Sequence, residues 1–196
     1  SRLERLLIRA APFAPGEPLI LAEEQRHKLD ALATWAGRAG ARSGGVTLLL
    51  YGPYGSGRRT AARRICARLD APLLVADIAA AARSPHGFEL LVDLCYREAT
   101  LCGAALLWSG CEQLIEAETQ AHRWDYLVAA AEQHAGLTFL SSEIAWDPAG
   151  RFRSRPFARV PFPAPGYDLR REIWEHYLAS DPAISPLRGD LSRLPP

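Results

Sequence analysis

Val46-Thr47-Leu48-Leu49-Leu50-Tyr51 is a short, continuous apolar run, followed at once by Gly52-Pro53-Tyr54-Gly55-Ser56-Gly57-Arg58-Arg59-Thr60 and then by a helix-forming segment. An apolar run of this length that stops at a glycine is the pattern of a parallel strand buried on both faces. The glycines after it let the backbone turn with its N–H groups facing inward. The helix that follows adds its positive end, so a polyphosphate can be held there without any side chain. Strand, glycine loop and helix in this order are the setting that a phosphate-binding loop requires.

Four more runs resemble the first: Pro72 to Ile78, Ala104 to Trp108, Leu137 to Ser141 and Arg159 to Phe162. Segments of helical composition separate the earlier ones, at Arg59 to Leu69, Gly87 to Cys102 and Thr119 to His134. Alternating strands and helices predict an α/β fold with a parallel sheet. Upstream, Leu29, Leu32 and Trp35 recur at helical spacing behind an acidic start, which predicts an amphipathic helix over Glu23 to Gly40. Downstream, Tyr167 to Leu178 places Leu169, Ile173, Trp174 and Tyr177 on one helical stripe. Leu3, Leu6 and Leu7 read as a helical end joined to a Pro/Gly-rich linker, and the proline-rich stretch from Asp181 to Pro196 reads as irregular. The expected organisation is an N-terminal helical end and linker over 1–18, a core over 19–165, and a second helical element with a C-terminal tail over 166–196.

The glycine loop departs from the usual ending Gly-Lys-Ser/Thr. Arg58 stands at the lysine position and keeps the charge, but as a larger, planar group. Arg59 stands where a hydroxyl normally ligates Mg²⁺, and a cation there repels the metal. Thr60 carries a hydroxyl, but one position further on a helix it points about 100° away. After the third strand, a hydrolytic site of this kind places an acidic pair that orients the metal and activates water. The residues present are Ser109-Gly110-Cys111-Glu112, so Glu112 is the nearest carboxylate and a weak candidate base. After the fourth strand, Ser142 or Glu143 stands where a polar side chain senses a γ-phosphate. Arg151-Phe152-Arg153-Ser154-Arg155 precedes the last strand, and Arg155 is the best candidate there for an arginine that reaches into a neighbouring subunit.

Bulk properties narrow the partners. With 23 Lys+Arg against 22 Asp+Glu and no charged block, nucleic acid is not the expected partner. No apolar run approaches the roughly 18 residues of a membrane span, and Ser1-Arg2-Leu3-Glu4 lacks the layout of a secretory signal, so a cytoplasmic protein is expected. Cys66, Cys95, Cys102 and Cys111 show neither a CxxC pair nor zinc-ligand spacing, and read as free thiols. No metal site is expected. The chain lacks methionine, which suggests a piece of a longer polypeptide.

Taken in order, GPYGSGR, AALLW, LTFLSSE and RPFARVPFPAPGYDLRREIW resemble the AAA+ family of P-loop NTPases, across roughly Leu19 to Leu178. The resemblance implies a three-layer core with five parallel strands, a helical lid that is truncated or missing here, ring assembly, and ATP or ADP bound between neighbours. Against that family, the Walker A and Walker B motifs are degenerate and Mg²⁺ is not expected to be held in the usual way. Members that thread polypeptide carry an aromatic-Gly loop after the second strand. Here Phe88 follows Gly87, which speaks against threading. Tandem modules with one degenerate partner are common in the family, including bacterial-type multi-domain ATPases. The expectation is therefore an ATP-binding module with little hydrolysis of its own, self-associated or paired with a tandem module in a ring and serving a protein client. Two alternatives stand beside it: an active ATPase with an arginine-containing loop, and a clamp-loader-like or DNA-associated subunit.

Overall fold

The computed structural model describes residues 6–14, 17, 21, 23–148 and 150–180, the side chains of 118 and 177–180 excepted. The readings that rest on Leu3, on the prolines 15 and 18, on Tyr177 and on the tail beyond Ser180 lie outside the described residues. Along the chain come β1 (Leu7–Arg9), α1 (Glu23–Ser43), β2 (Val46–Tyr51), α2 (Arg58–Arg68), β3 (Leu73–Asp77) and α3 (Ile78–Ala82). Then follow α4 (Phe88–Leu101), β4 (Ala105–Ser109), α5 (Glu112–Ile115), a 3-10 turn (Glu118–Gln120), α6 (Ala121–Gln133), β5 (Leu137–Ser142), β6 (Phe157–Pro161) and α7 (Tyr167–Ser180).

The sheet has six strands in the order β1-β3-β4-β5-β2-β6. The pairs among β2 to β6 are all parallel, as the alternation implies. The sixth strand is a correction: Leu7–Arg9, read above as part of a helical end, pairs antiparallel with β3, Ile8 opposite Val75. A strand of three residues is too short to show alternation, while Leu3, Leu6 and Leu7 happen to fall at helical spacing.

β2, β3, β4 and β5 bury side chains on both faces, which is why their runs look continuously apolar, whereas the edge strand β6 is only partly buried. One face carries Leu49, Leu106, Trp108 and Leu140 under α4 and α6. The other carries Leu48, Leu50, Leu107 and Phe139 under α1 and α2. In α4 the buried positions Phe88, Leu91, Val92, Cys95, Tyr96 and Ala99 step by three and four, one stripe of a helix. Fully burying Phe88, Leu91 or Val92 contributes about 1.5–3 kcal/mol each before the entropy of ordering is subtracted. The strand predicted over Pro72 to Ile78 stops one residue early, because the Asp77 carboxylate accepts the Ala80 N–H at 2.7 Å and caps α3. Phe88 is the first residue of α4 and is buried against the core, with the Arg123 guanidinium over its ring. It is therefore not presented as an exposed aromatic loop residue. No helix among the described residues is long and apolar enough to cross a membrane. The topology puts the C-terminal ends of β2, β4 and β5 side by side, where open α/β sheets bind their ligands.

Candidate functional site

The glycine loop leaves β2 at that edge and is fastened on both sides. Gly52 N–H donates to Ser142 O at 3.1 Å, and Phe162 N–H donates to Tyr51 O at 2.7 Å. Gly52 is enclosed between β5 and the residue that follows β6. Beyond it, Ser56 N–H donates to Pro53 O at 3.2 Å, closing a turn that leaves Tyr54 88% exposed at the apex. Gly55 and Gly57 take φ of 77° and 91°, the left-handed region that glycine enters without strain. Gly57 is the N-cap of α2, with no side chain capping the helix.

The N–H groups of Gly55, Gly57, Arg58, Arg59 and Thr60 therefore have no acceptor among the described residues. They are the donors that every helix start leaves open, here joined to those of the loop. Nothing stands within 4 Å of the space a Gly55 side chain would fill. Open space, clustered N–H donors and the positive end of α2 fit a phosphate group. Arg58 is half-buried and Arg59 exposed, and both add positive charge at the same place.

The other corners are occupied differently from the usual pattern. Ser109 Oγ donates to Ala76 O at 3.1 Å, tying β4 to β3. Cys111 is fully buried, and its N–H donates to Ser141 O at 3.0 Å. Burial raises its thiol pKa, the Glu112 carboxylate adds to the rise, and the nearby Arg58 guanidinium opposes it. Arg58 thus lies within electrostatic reach of the turn that follows β4. Glu112 is half-buried, and its Oε2 accepts the Glu143 N–H at 3.1 Å. The fold accordingly brings this carboxylate to the end of β5, beside the loop, in spite of its distance along the sequence from the usual acidic position. Ser142 is fully buried and its Oγ accepts the Ile144 N–H at 3.2 Å, so its hydroxyl closes the turn after β5.

Arg155 sits away from this cluster, at the edge where the strands begin. It precedes β6, whose first residue Phe157 pairs with Thr47 near the start of β2. Its guanidinium donates to Glu132 O at 3.0 Å, to Gln133 O at 3.4 Å and to Ser43 O. Three carbonyls at the C-terminal ends of α1 and α6 thereby find a donor, and the side chain is held by its own chain. Arg155→Ala is expected to lower stability by about 2–4 kcal/mol, since it strands those carbonyls in a half-buried pocket. Chemical denaturation measures this, and a change under about 0.5 kcal/mol would refute the assignment.

The basic segment around Arg155 is clamped to α6. Glu132 Oε1 accepts the N–H groups of Arg153 and Ser154 and the Ser154 hydroxyl, at 2.8 to 3.1 Å. Arg151 pairs with Asp125, and an aromatic row of Trp124, Trp146, Phe157 and Phe152 packs ring against ring. Sequence reasoning did not find this clamp, whose halves lie about twenty residues apart with no shared pattern. Arg153 stays exposed, its Nε bonded to Gly150 O at 3.1 Å.

A parallel sheet ordered in this way, with a glycine loop at its C-terminal edge leading into a helix, is the fold of AAA+ ATPase domains. Solved structures that share it include a katanin structure bearing on katanin self-assembly (17% identical, TM-score 0.66, covering 90% of this chain and 63% of that one). The FIGL-1 AAA domain is another, at 14% identity and a TM-score of 0.67, covering 91% of this chain and 64% of that one. It has also been solved in complex with ADP. A third is the E. coli MS115-1 HORMA:CdnC:Trip13 complex, at 16% identity and a TM-score of 0.58, covering 90% of this chain and 76% of that one. The chain thus spans just under two thirds of the first two. No protein-family model and no curated protein sequence matches it.

Proposed function

We propose that this chain is a nucleotide-binding AAA+ module that hydrolyses little or no ATP by itself and serves as a regulatory or structural part of a larger oligomeric ATPase. One observation carries the reading. Backbone N–H groups between Gly55 and Thr60 stand open as a phosphate cradle requires, which supports the reading, while the side-chain positions of such a site carry Arg58, Arg59, Ser109 and Gly110. Backbone N–H groups suffice to hold phosphate oxygens, and a nucleotide bound there would place its charged groups against the α2 start. Hydrolysis additionally needs an activated water and, in this class, a metal ligated by a hydroxyl and an acid. Arg58 and Arg59 offer charge in place of the metal, so ADP or ATP is the ligand and Mg²⁺ is dispensable for binding.

Assembly into a ring or beside a tandem module follows from the same reading, as does a cytoplasmic setting. The self-assembly of katanin and the Trip13 complex with a HORMA protein are precedents among proteins of this fold. In such a ring Arg153 is better placed than Arg155 to reach a neighbour, because its guanidinium is exposed and Arg155 is committed to three carbonyls of its own chain.

The second reading, an active ATPase, is favoured by one feature, the Glu112 carboxylate at the end of β5. Calorimetry with ATP and ADP, combined with phosphate release in Mg²⁺, separates the two. The first reading expects nucleotide binding with no release above background, unchanged in Glu112→Gln. Metal-dependent release that vanishes in Glu112→Gln would install the second in its place, and absence of any binding would leave an architectural module.

A further inference from the structure

The helix that carries the phosphate loop is also the anchor of the N-terminal arm. After β1, Ala10 N–H continues the sheet by donating to Leu73 O at 2.9 Å, and the chain then turns across α2. There the Arg63 guanidinium gathers it in. Its Nε donates to Ala11 O at 2.9 Å, Nη1 donates to Glu17 Oε1 at 2.7 Å, and Nη2 donates to Pro12 O and Glu17 Oε2, both at 2.9 Å. The Phe13 ring lies beneath two guanidinium groups, with Arg63 at 5.5 Å and Arg64 at 5.9 Å from its centroid. The Glu17 carboxylate also accepts the Ala14 N–H at 3.0 Å, so the arm is folded on itself where it is gripped. Hydrogen bonding to Arg63 holds the Glu17 carboxyl below its ordinary range, so the pair stays charged through neutral pH. A planar fork satisfied by two carbonyls and a bidentate carboxylate is a specific arrangement that lysine cannot reproduce.

The arm ends at the loop. Leu21 is buried in the cluster that holds Ala61, Ala62 and Ile65 of α2. Its Cδ2 lies 3.4 Å from the point where a Gly57 side chain would begin. Among the described residues, Ala10 is thus fixed on the sheet edge, Ala11, Pro12 and Glu17 on Arg63, and Leu21 beside the glycine that opens α2.

We infer that Arg63 is a positioning residue for the phosphate loop: it clamps Ala11, Pro12 and Glu17 to the helix whose first turn, at Gly57, is packed by Leu21. The effect on nucleotide rests on the function proposed above. The mechanical coupling does not. Two segments in contact, each with its own opening equilibrium, share a coupling free energy that acts in both directions.

The test is hydrogen exchange on the full chain without nucleotide, comparing wild type, Arg63→Ala and Arg68→Ala. Arg68 lies on the same helix but bonds to Asp30, so its loss removes an ion pair without touching the arm. Arg63→Ala is expected to speed exchange about fivefold or more both at 10–14 and at the bonded amides of the loop and helix start, Ser56 on Pro53 O and Ala61 on Gly57 O, while β4 and β5 amides and the melting temperature of the Arg68→Ala control stay near wild type. Faster exchange at 10–14 alone would overturn the coupling, and a uniform rise over the whole chain would reduce Arg63 to a stabilising residue. If Arg63→Ala does not fold, Glu17→Gln takes its place. It keeps the two carbonyl bonds, and the same amides should respond in the same direction, with silence at Ser56 and Ala61 refuting the inference. Calorimetry with ADP then reads the functional arm. Wild type that fails to bind ADP defeats the nucleotide reading and leaves the exchange result standing. If wild type binds, Arg63→Ala is expected to bind about fivefold more weakly, and equal affinity would overturn the inference.

Discussion

Replacing Gly52 with alanine is expected to destabilise the fold by about 3 kcal/mol or more, a large effect for one methyl group at the end of a strand. At this position φ is 149°, and a Cβ would fall inside the envelope of the Phe162 carbonyl oxygen, with the carbonyl carbon only 2.8 Å away. The neighbour is backbone and cannot rotate aside. Phe162 cannot withdraw easily either, since its N–H is bonded to Tyr51 O and its side chain is 2% exposed. Accommodating the methyl therefore means pulling the end of β6 from β2 or pushing the loop from β5. Gly55→Ala is the informative comparison. It has the same chemistry and φ of 77°, but nothing lies within 4 Å, so only the conformational cost of about 1–2 kcal/mol applies. Chemical denaturation of both variants decides the matter. If Gly52→Ala were no worse than Gly55→Ala, the tight junction of loop, β5 and β6 would be wrong.

That junction shows which parts of the molecule a reader of the sequence can see. The loop is one contiguous segment behind a buried strand, and its glycines mark the backbone turns directly, so Gly52 to Thr60 stood out at once. The inner parallel strands β2 to β5 were equally visible, because burial on both faces writes an unbroken apolar run. β1 was not, since three residues carry no period, and its partners Ala76, Val75 and Leu74 lie far along the chain. The reading of Arg155 shows a different limit. A basic segment before the last strand is easy to notice, but the carbonyls of Ser43, Glu132 and Gln133 converge on it only when α1 and α6 end at the same place. Arg63 is the same case, with partners on the arm about fifty residues upstream in sequence. Contacts between distant segments leave no local signal, and they are what assigned these arginines to holding the chain.

The remaining large effect concerns the metal. Restoring the usual residues with Arg58→Lys and Arg59→Thr together is expected to convert metal-indifferent nucleotide binding into Mg²⁺-dependent binding. In wild type, adding a chelator should change ADP affinity by less than about twofold. In the double variant it should weaken binding about tenfold, equivalent to about 1.4 kcal/mol. The physical reason is the sign of the charge at the second position of α2. A threonine hydroxyl there would donate a lone pair to the metal, whereas under the proposed function the exposed Arg59 guanidinium would repel it and neutralise phosphate oxygens in its stead. The Arg58 change matters less for the metal and more for geometry, since a compact ammonium fits between outer phosphates where the planar group must lie alongside. The double variant should still fail to hydrolyse ATP, because Ser109 and Gly110 leave no carboxylate at the end of β4, Asp77 opposite Ser109 is engaged in capping α3, and Glu112 is already bonded to the Glu143 backbone. Calorimetry with ADP in Mg²⁺ and in chelator measures the first effect, and phosphate release measures the second. Wild type that binds ADP tenfold more tightly with Mg²⁺ would show that Arg59 does not exclude the metal. Hydrolysis gained by the double variant would identify Glu112 as a working base, held back in wild type only by the two arginines.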